Sequence, residues 1–201
     1  MDFTSLKKTL EKKGYKVCIF SALSNAGQYL NLHIHNKTVA FGGSMTLEKM
    51  GLYDKLITHN TVIWHHRIPE NSSSAEERIK ARSAQVYLSS VNAISQKGEI
   101  VNIDAVCNRV SSIFYGHEKV YLIIGKNKVT QTLDDAIFRA RNVASPKNAQ
   151  RLKRNTPCAI KADKCYDCNS PDRICKGVSI LLQAPTNSNI EILLIDEEVG
   201  Y

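Results

Sequence analysis

The sequence predicts an α/β fold with a mainly parallel sheet flanked by helices, and three observations lead there. Short β-type runs alternate with amphipathic helical stretches up to about residue 143. The run "KVYLIIG" at 119–125 is apolar almost without a break, as a strand covered on both faces has to be. The 201 residues, 43% hydrophobic and 23% charged, can bury a core of ordinary size and lack the composition of a disordered chain.

Residues 2–13 put Phe3, Leu6 and Leu10 at helical spacing. "KVCIF" at 16–20 reads as the first strand, and "ALSNAGQYLNLHI" at 22–34 as a helix. "KTVAF" at 37–41 is a second strand that runs straight into Gly42-Gly43-Ser44, after which 46–56 reads as one helix and "TVIW" at 61–64 as a strand. Ser73 with Glu76, and Ser74 with Glu77, have the spacing of a capping box, so a helix starts in 71–85. Strands are expected at 86–90, 98–104 and 119–125, and a helix at 132–143 with Leu133, Ala136, Ile137 and Ala140 inward. "VSILLQ" and "IEILLID", separated by the turn-rich "APTNSN", read as a C-terminal β-hairpin on an antiparallel edge. No internal repeat is visible, and residues 1–201 read as a single domain.

The N-terminal stretch has no apolar centre of the kind a signal peptide needs, and the apolar runs at 120–124 and 190–195 are too short to cross a bilayer. A soluble, cytoplasmic protein without a membrane span is expected. The net charge is +8. Between Arg139 and Lys164 eight basic residues face one acid, Asp163. Such a stretch serves as a solvated face or meets an anionic ligand, an acidic partner protein or nucleic acid. The absence of aromatic residues from 139–164 argues against nucleic acid, which needs stacking platforms.

Cys158, Cys165, Cys168 and Cys175 follow the spacing C-x6-C-x2-C-x6-C. A reducing compartment disfavours a disulfide staple. Thiolates hold zinc and iron–sulfur clusters, but a zinc ribbon offers two C-x-x-C knuckles and this segment has one, so zinc and a [4Fe–4S] cluster both stay open. In Gly42-Gly43-Ser44, glycines between a strand and a helix let a backbone approach an anion; the alternative is a tight turn with Ser44 or Thr46 as N-cap. "NIDAVCNR" places Asn102, Asp104, Asn108 and Arg109 beyond an apolar strand. Asp104 can serve as acid or base and Arg109 as an anion clamp, or the two form a structural pair. Cys107 in this loop is either a reactive thiol or a small packed residue. "GKNKV" at 125–129 offers Lys126 to a phosphate or simply to water. His33, His35, His65 and His66 read as ordinary surface or core histidines.

The stretches "FGGSMTLEKMGLYDKL", "KGEIVNIDAVCNRVSSIFYGHEKVYLIIGKNKV", "NVASPKNAQRL" and "TPCAIKADKCYDCNSPDRIC" together resemble the LUD (lactate utilisation) domain family, in its small stand-alone form with a cysteine-rich segment near the C-terminus. The resemblance runs from about residue 2 to residue 201. It implies a fold like the ribose-5-phosphate isomerase and CoA-transferase group, with the cysteine-rich segment 155–177 inserted before the terminal hairpin. It further implies an iron–sulfur component acting in the oxidation of lactate or a related small organic acid, as an oxidoreductase subunit or accessory protein.

On this resemblance Cys158, Cys165, Cys168 and Cys175 hold a [4Fe–4S] cluster (zinc being the alternative). Gly42, Gly43, Ser44, Thr46, Asn102 and Lys126 bind the ligand, and Asp104, Asn108 and Arg109 do the chemistry. The partners it implies are a small anionic metabolite and a redox protein; a homodimer is expected on the general ground that symmetric dimers are the commonest oligomers. The alternative function is an isomerase- or transferase-like enzyme on a phosphorylated or CoA-linked metabolite, with a structural metal. One departure stands out. Where the family loop reads N-I-D-G-T-G-N-R, this chain has Ala105, Val106 and Cys107, and so lacks glycines that permit positive φ or close ligand approach.

Overall fold

Six all-parallel strands form the main sheet of the computed structural model, which describes residues 2–201. In chain order the strands are β1 (Lys16–Phe20), β2 (Thr38–Phe41), β3 (Thr61–Trp64), β4 (Val86–Ser89), β5 (Ala93–Ser95), β6 (Ile100–Asp104), β7 (Lys119–Gly125), β8 (Val129–Thr130), β9 (Gly177–Leu181) and β10 (Ile190–Ile195). The helices are α1 (Thr4–Lys12), α2 (Leu23–His33), α3 (Met45–Met50), α4 (Tyr53–Leu56), α5 (Ser74–Ala81), α6 (Asn108–Phe114), α7 (Leu133–Arg139), α8 (Ser145–Arg151) and α9 (Pro157–Lys161). The main sheet runs β1-β10-β7-β4-β2-β3 and a second sheet runs β8-β5-β6-β9.

Alternation along each strand sends successive residues to opposite faces, and both faces of the main sheet are covered. Val120, Leu122 and Ile124 of β7, with Ile192 and Leu194 of β10, pack toward α1 and the second sheet. Tyr121 and Ile123, with Leu193 and Ile195, pack toward α2 through Leu23, Ala26 and Leu30, and toward α3 and α4. The second sheet is in turn covered by Ala136 of α7 and by Ala140. The chain therefore stacks helices, parallel sheet, small sheet and helices.

The expected terminal hairpin does not form. β9 pairs antiparallel with β6, from Gly177 opposite Asp104 to Leu181 opposite Ile100. β10 instead inserts between β1 and β7, parallel to both. Burial explains the separation. All six residues of β10 are buried, which demands a central strand, whereas Val178 and Leu182 on the other run remain exposed, as on an edge. The one acid of β10, Glu191, is held by hydrogen bonds from Tyr29 Oη at 2.6 Å and Lys119 Nζ at 2.7 Å. The strand expected at 98–104 also lies outside the parallel sheet: Ile100–Asp104 forms the centre of the small second sheet, antiparallel to β5 and β9.

Two helices depart from their expected limits. The helix expected over 46–56 breaks at Gly51, whose φ of +61° caps α3 in the left-handed region. The helix expected over 132–143 continues through a wide π turn at Ala140–Ala144 into α8. Pro146 has no N–H for the preceding turn, and Ser145 Oγ donates to Ala140 O at 2.8 Å across the widened backbone. The capping box at Ser73 and Glu76 forms as expected. Among the described residues no helix is long and apolar enough to cross a membrane.

Candidate functional site

The parallel strands carry their C-terminal ends to one edge of the sheet, where ligands of open α/β sheets bind. Here the turns after β2, β3, β4 and β7 meet the loop after β6 and the helix α8 around a cleft of about 370 Å³. Of the stretches singled out in the sequence, the glycine turn and the Asp104–Arg109 loop both reach it.

Gly42 does not line the cleft; it solves a packing problem. A Cβ there would lie 2.8 Å from Tyr87 Oη and 3.0 Å from Ser89 Oγ. Gly43 does line it, and a Cβ would meet His65 Nε2 at 3.1 Å. Ser44 lines the cleft at the start of α3, with no side-chain capping bond. At six residues α3 is too short to supply much of a dipole, so charge at this edge comes from side chains. Thr46 is fully buried at the start of the same helix, and its hydroxyl receives a hydrogen bond from Lys128 Nζ at 3.0 Å.

Lys126, the expected anion ligand, turns away and pairs with Asp196 at 3.3 Å. Lys128 takes its place. A 3₁₀ turn over Lys126–Lys128 sends this side chain inward, where it is 3% exposed and forms part of the cleft wall. Its Nζ also donates to Ser90 Oγ at 2.8 Å. Among the described residues no carboxylate pairs with it. Burial, then the nearby charges of Arg139 and Arg109, hold its amine well below the usual lysine range.

The Asp104 loop is knitted internally. Asp104 accepts the backbone N–H groups of Ala105 at 2.8 Å, Arg109 at 3.2 Å and Val110 at 3.3 Å. These bonds engage both carboxylate oxygens and close the first turn of α6. The Arg109 guanidinium donates to Ser90 O at 3.1 Å, Asn92 Oδ1 at 3.2 Å and Ile103 O at 2.8 Å, and also to the buried Asn102. Arg109 thus ties the end of β4 to β6 instead of presenting a free fork to a ligand. Asn102 serves this clamp and does not reach the cleft, while Asn108 lines it. Of the two readings open for Asp104 and Arg109, these bonds favour the structural pair.

The loop also carries a strained residue. Cys107 adopts φ +64°, a left-handed conformation that an L side chain resists by about 1–2 kcal/mol. Its sulfur packs where a Cβ on Gly177 would lie only 2.6 Å away. Cys107→Gly is expected to stabilise the fold by up to about 1 kcal/mol, since relief of the strain is partly offset by the entropy glycine adds to the unfolded chain. Urea denaturation checks this; a loss of stability would mean that sulfur packing on Gly177 outweighs the strain.

Sequence reasoning missed several cleft residues. His65 and His66 follow β3 and line the cleft. Burial, with the nearby charges of His66 and Arg78, brings the His65 pKa down to about 4, so its ring is neutral at pH 7. His66 Nδ1 lies 2.9 Å from Glu48 Oε1. Arg78 arrives on α5, and Arg151 and Arg154 arrive from α8 and the turn after it. The basic run at 139–164 was the signal for the last two; the histidine pair gave no more than adjacency.

The four clustered cysteines lie on α9 and the irregular chain that follows, each partly buried. Arg141 approaches Cys165 Sγ at 3.8 Å, and a hydrogen bond to Cys175 raises the Arg173 pKa. Thr156 Oγ1 lies 3.3 Å from Cys158 Sγ. Among the described residues no three Cys, His, Asp or Glu side chains converge as a metal-ligand group. The donor chemistry suits a thiophilic metal, but the sulfurs are not gathered around one point.

The profile of the LUD domain matches residues 4–195. The chain belongs to the LUD domain family. A crystal structure of a DUF162 family protein from Deinococcus radiodurans shares this LUD fold at 10% identity and a TM-score of 0.50, covering 95% of this chain and 94% of that one. Weaker likeness extends to eIF2B beta from Chaetomium thermophilum, at 14% identity and a TM-score of 0.39, over 57% of this chain and 42% of that one. No curated protein sequence matches the LUD chain.

Proposed function

We propose that this LUD-domain protein is a lactate-utilisation-type component whose cleft binds a small organic acid anion. The charge of the cleft carries this reading. Arg78, Arg109, Arg151 and Arg154 line it, and the carboxylate of Asp104 beside them already accepts backbone N–H groups. Several cations lining one cleft raise its positive potential and favour an anion there. The volume, about 370 Å³, lies at the small end of ligand sites and suits a metabolite of a few carbon atoms.

On the same reading Cys158, Cys165, Cys168 and Cys175 take up an iron–sulfur cluster and connect the protein to a redox partner. The support is the donor set, four sulfurs within eighteen residues on chain without regular structure beyond Lys161, which has to close for all four to ligate. A bound cluster would supply one-electron transfer.

The test is a titration of anaerobically prepared protein with lactate and with pyruvate at low salt, alongside iron and sulfide analysis. Saturable binding that weakens as salt rises, with iron and sulfide present, is expected. Absence of binding to either acid would remove the anion site, and zinc in place of iron and sulfide would remove the cluster.

A further inference from the structure

Lys128 is the ionisable group of the cleft placed where a charge is hardest to keep. Its side chain is almost fully buried, no carboxylate among the described residues offsets it, and two guanidiniums face it from neighbouring elements. Both guanidiniums are tied in place. Arg109 on α6 is bonded to Ser90 O and Ile103 O, and Arg139 on α7 donates to Asn127 O at 2.7 Å and to Asn92 O.

The hydrogen-bond directions around Nζ follow from its partners. Ser90 Oγ donates its proton to Ile123 O at 2.5 Å, and Thr46 Oγ1 has Val199 O at 3.3 Å and Ser90 Oγ at 3.4 Å to donate to. Both hydroxyls therefore accept from Lys128, at 2.8 and 3.0 Å. A neutral amine has two hydrogens and one lone pair. With both hydrogens held, the lone pair is left uncommitted; Lys128 lines the cleft, and Gly200 stands beside Nζ, where an added Cβ would lie 3.1 Å away.

We propose that Lys128 is a nucleophile that condenses with the carbonyl group of a small 2-oxo acid bound in the cleft, forming a Schiff base. The proposal rests on the cleft being an organic-acid site and names the class of acid it takes. Arg78, Arg151 and Arg154 in the same cleft serve the carboxylate, which leaves the carbonyl carbon to the amine. Desolvation and adjacent cations are the two conditions that activate a lysine for this chemistry. The step balances without a co-reactant: the C–N bond forms, the C–O bond breaks, and both amine hydrogens leave with the oxygen as water. No electron is gained or lost.

Reduction with borohydride in the presence of pyruvate tests it, followed by peptide mass spectrometry and by equilibrium dialysis of pyruvate on the same preparation. One reduced adduct at Lys128 is expected at neutral pH, lost in Lys128→Met and in Lys128→Arg. Lactate, which has no carbonyl, gives no adduct and suppresses the one formed by pyruvate. Circular dichroism of both variants establishes that they are folded. Pyruvate bound in dialysis without an adduct overturns the Schiff base and leaves the anion site standing. Neither binding nor adduct overturns both. Adducts spread over surface lysines and unchanged in the two variants also overturn the proposal.

Discussion

Arg109→Ala lowers the stability of the protein by about 3–5 kcal/mol, the cost of removing one partner from a buried, hydrogen-bonded charge network. The guanidinium joins three chain segments: Ser90 and Asn92 after β4, Asn102 and Ile103 on β6, and its own helix α6. Its loss removes the donor to the buried Asn102 side chain and one donor each from the carbonyl oxygens of Ser90 and Ile103, at the junction of the two sheets. It also deprives Asp104 of the neighbouring charge at 3.9 Å. Urea denaturation followed by far-UV circular dichroism gives the number. Arg109→Lys recovers little of it, because a single ammonium cannot reproduce the fork. A loss below about 1 kcal/mol would show that the clamp is dispensable and return Arg109 to ligand binding.

Lys128→Met has the opposite sign. Replacing a buried ionisable group by an apolar side chain of similar length is expected to stabilise the fold by on the order of 1–4 kcal/mol at neutral pH. The pH dependence identifies the cause. Unfolded, this lysine binds its proton up to about pH 10.4; folded, it releases it at much lower pH. Between those limits the unfolded chain holds the extra proton, so wild-type stability rises with pH and the advantage of Lys128→Met shrinks. Arg109 and Arg139 face Lys128, and Asp104, His65, His66 and Tyr201 line the same cleft; all are unchanged between the two proteins, so the difference isolates Lys128. Paired melts from pH 6 to pH 10 make the comparison. A gap that stays constant across this range would mean that Lys128 is protonated in the folded protein, which would also deprive the proposed nucleophile of its lone pair.

The two variants separate where the sequence locates a site from what it assigns to each residue. The glycine turn lies at the edge to which each parallel strand delivers its next turn, and the "NIDAVCNR" loop reaches the same edge from β6 of the second sheet. Their division of labour was not legible. Arg109 and Lys126 look like free cations in one dimension, yet one closes a clamp and the other pairs with Asp196. Lys128, two residues further on, looks equally ordinary, and only a single 3₁₀ turn sends it inward.

Local patterning was sufficient for the α/β class, for the capping box at Ser73, and for the buried strand "KVYLIIG", since periodicity and capping depend on neighbours within a few residues. The left-handed φ of +64° at Cys107 was not legible, since a residue with a side chain ordinarily avoids that region. Nor was the destination of the last two strands. "VSILLQ" and "IEILLID" are adjacent, apolar and joined by a turn-rich linker, which locally favours a hairpin. Only the assembled sheet leaves a slot between β1 and β7 that buries all six residues of β10, while β9 closes the edge of the second sheet. The cleft has the same origin. Its histidines, Lys128 and arginines come from segments as far apart as residues 65 and 154, and their mutual electrostatics exist only once the strands bring those ends together.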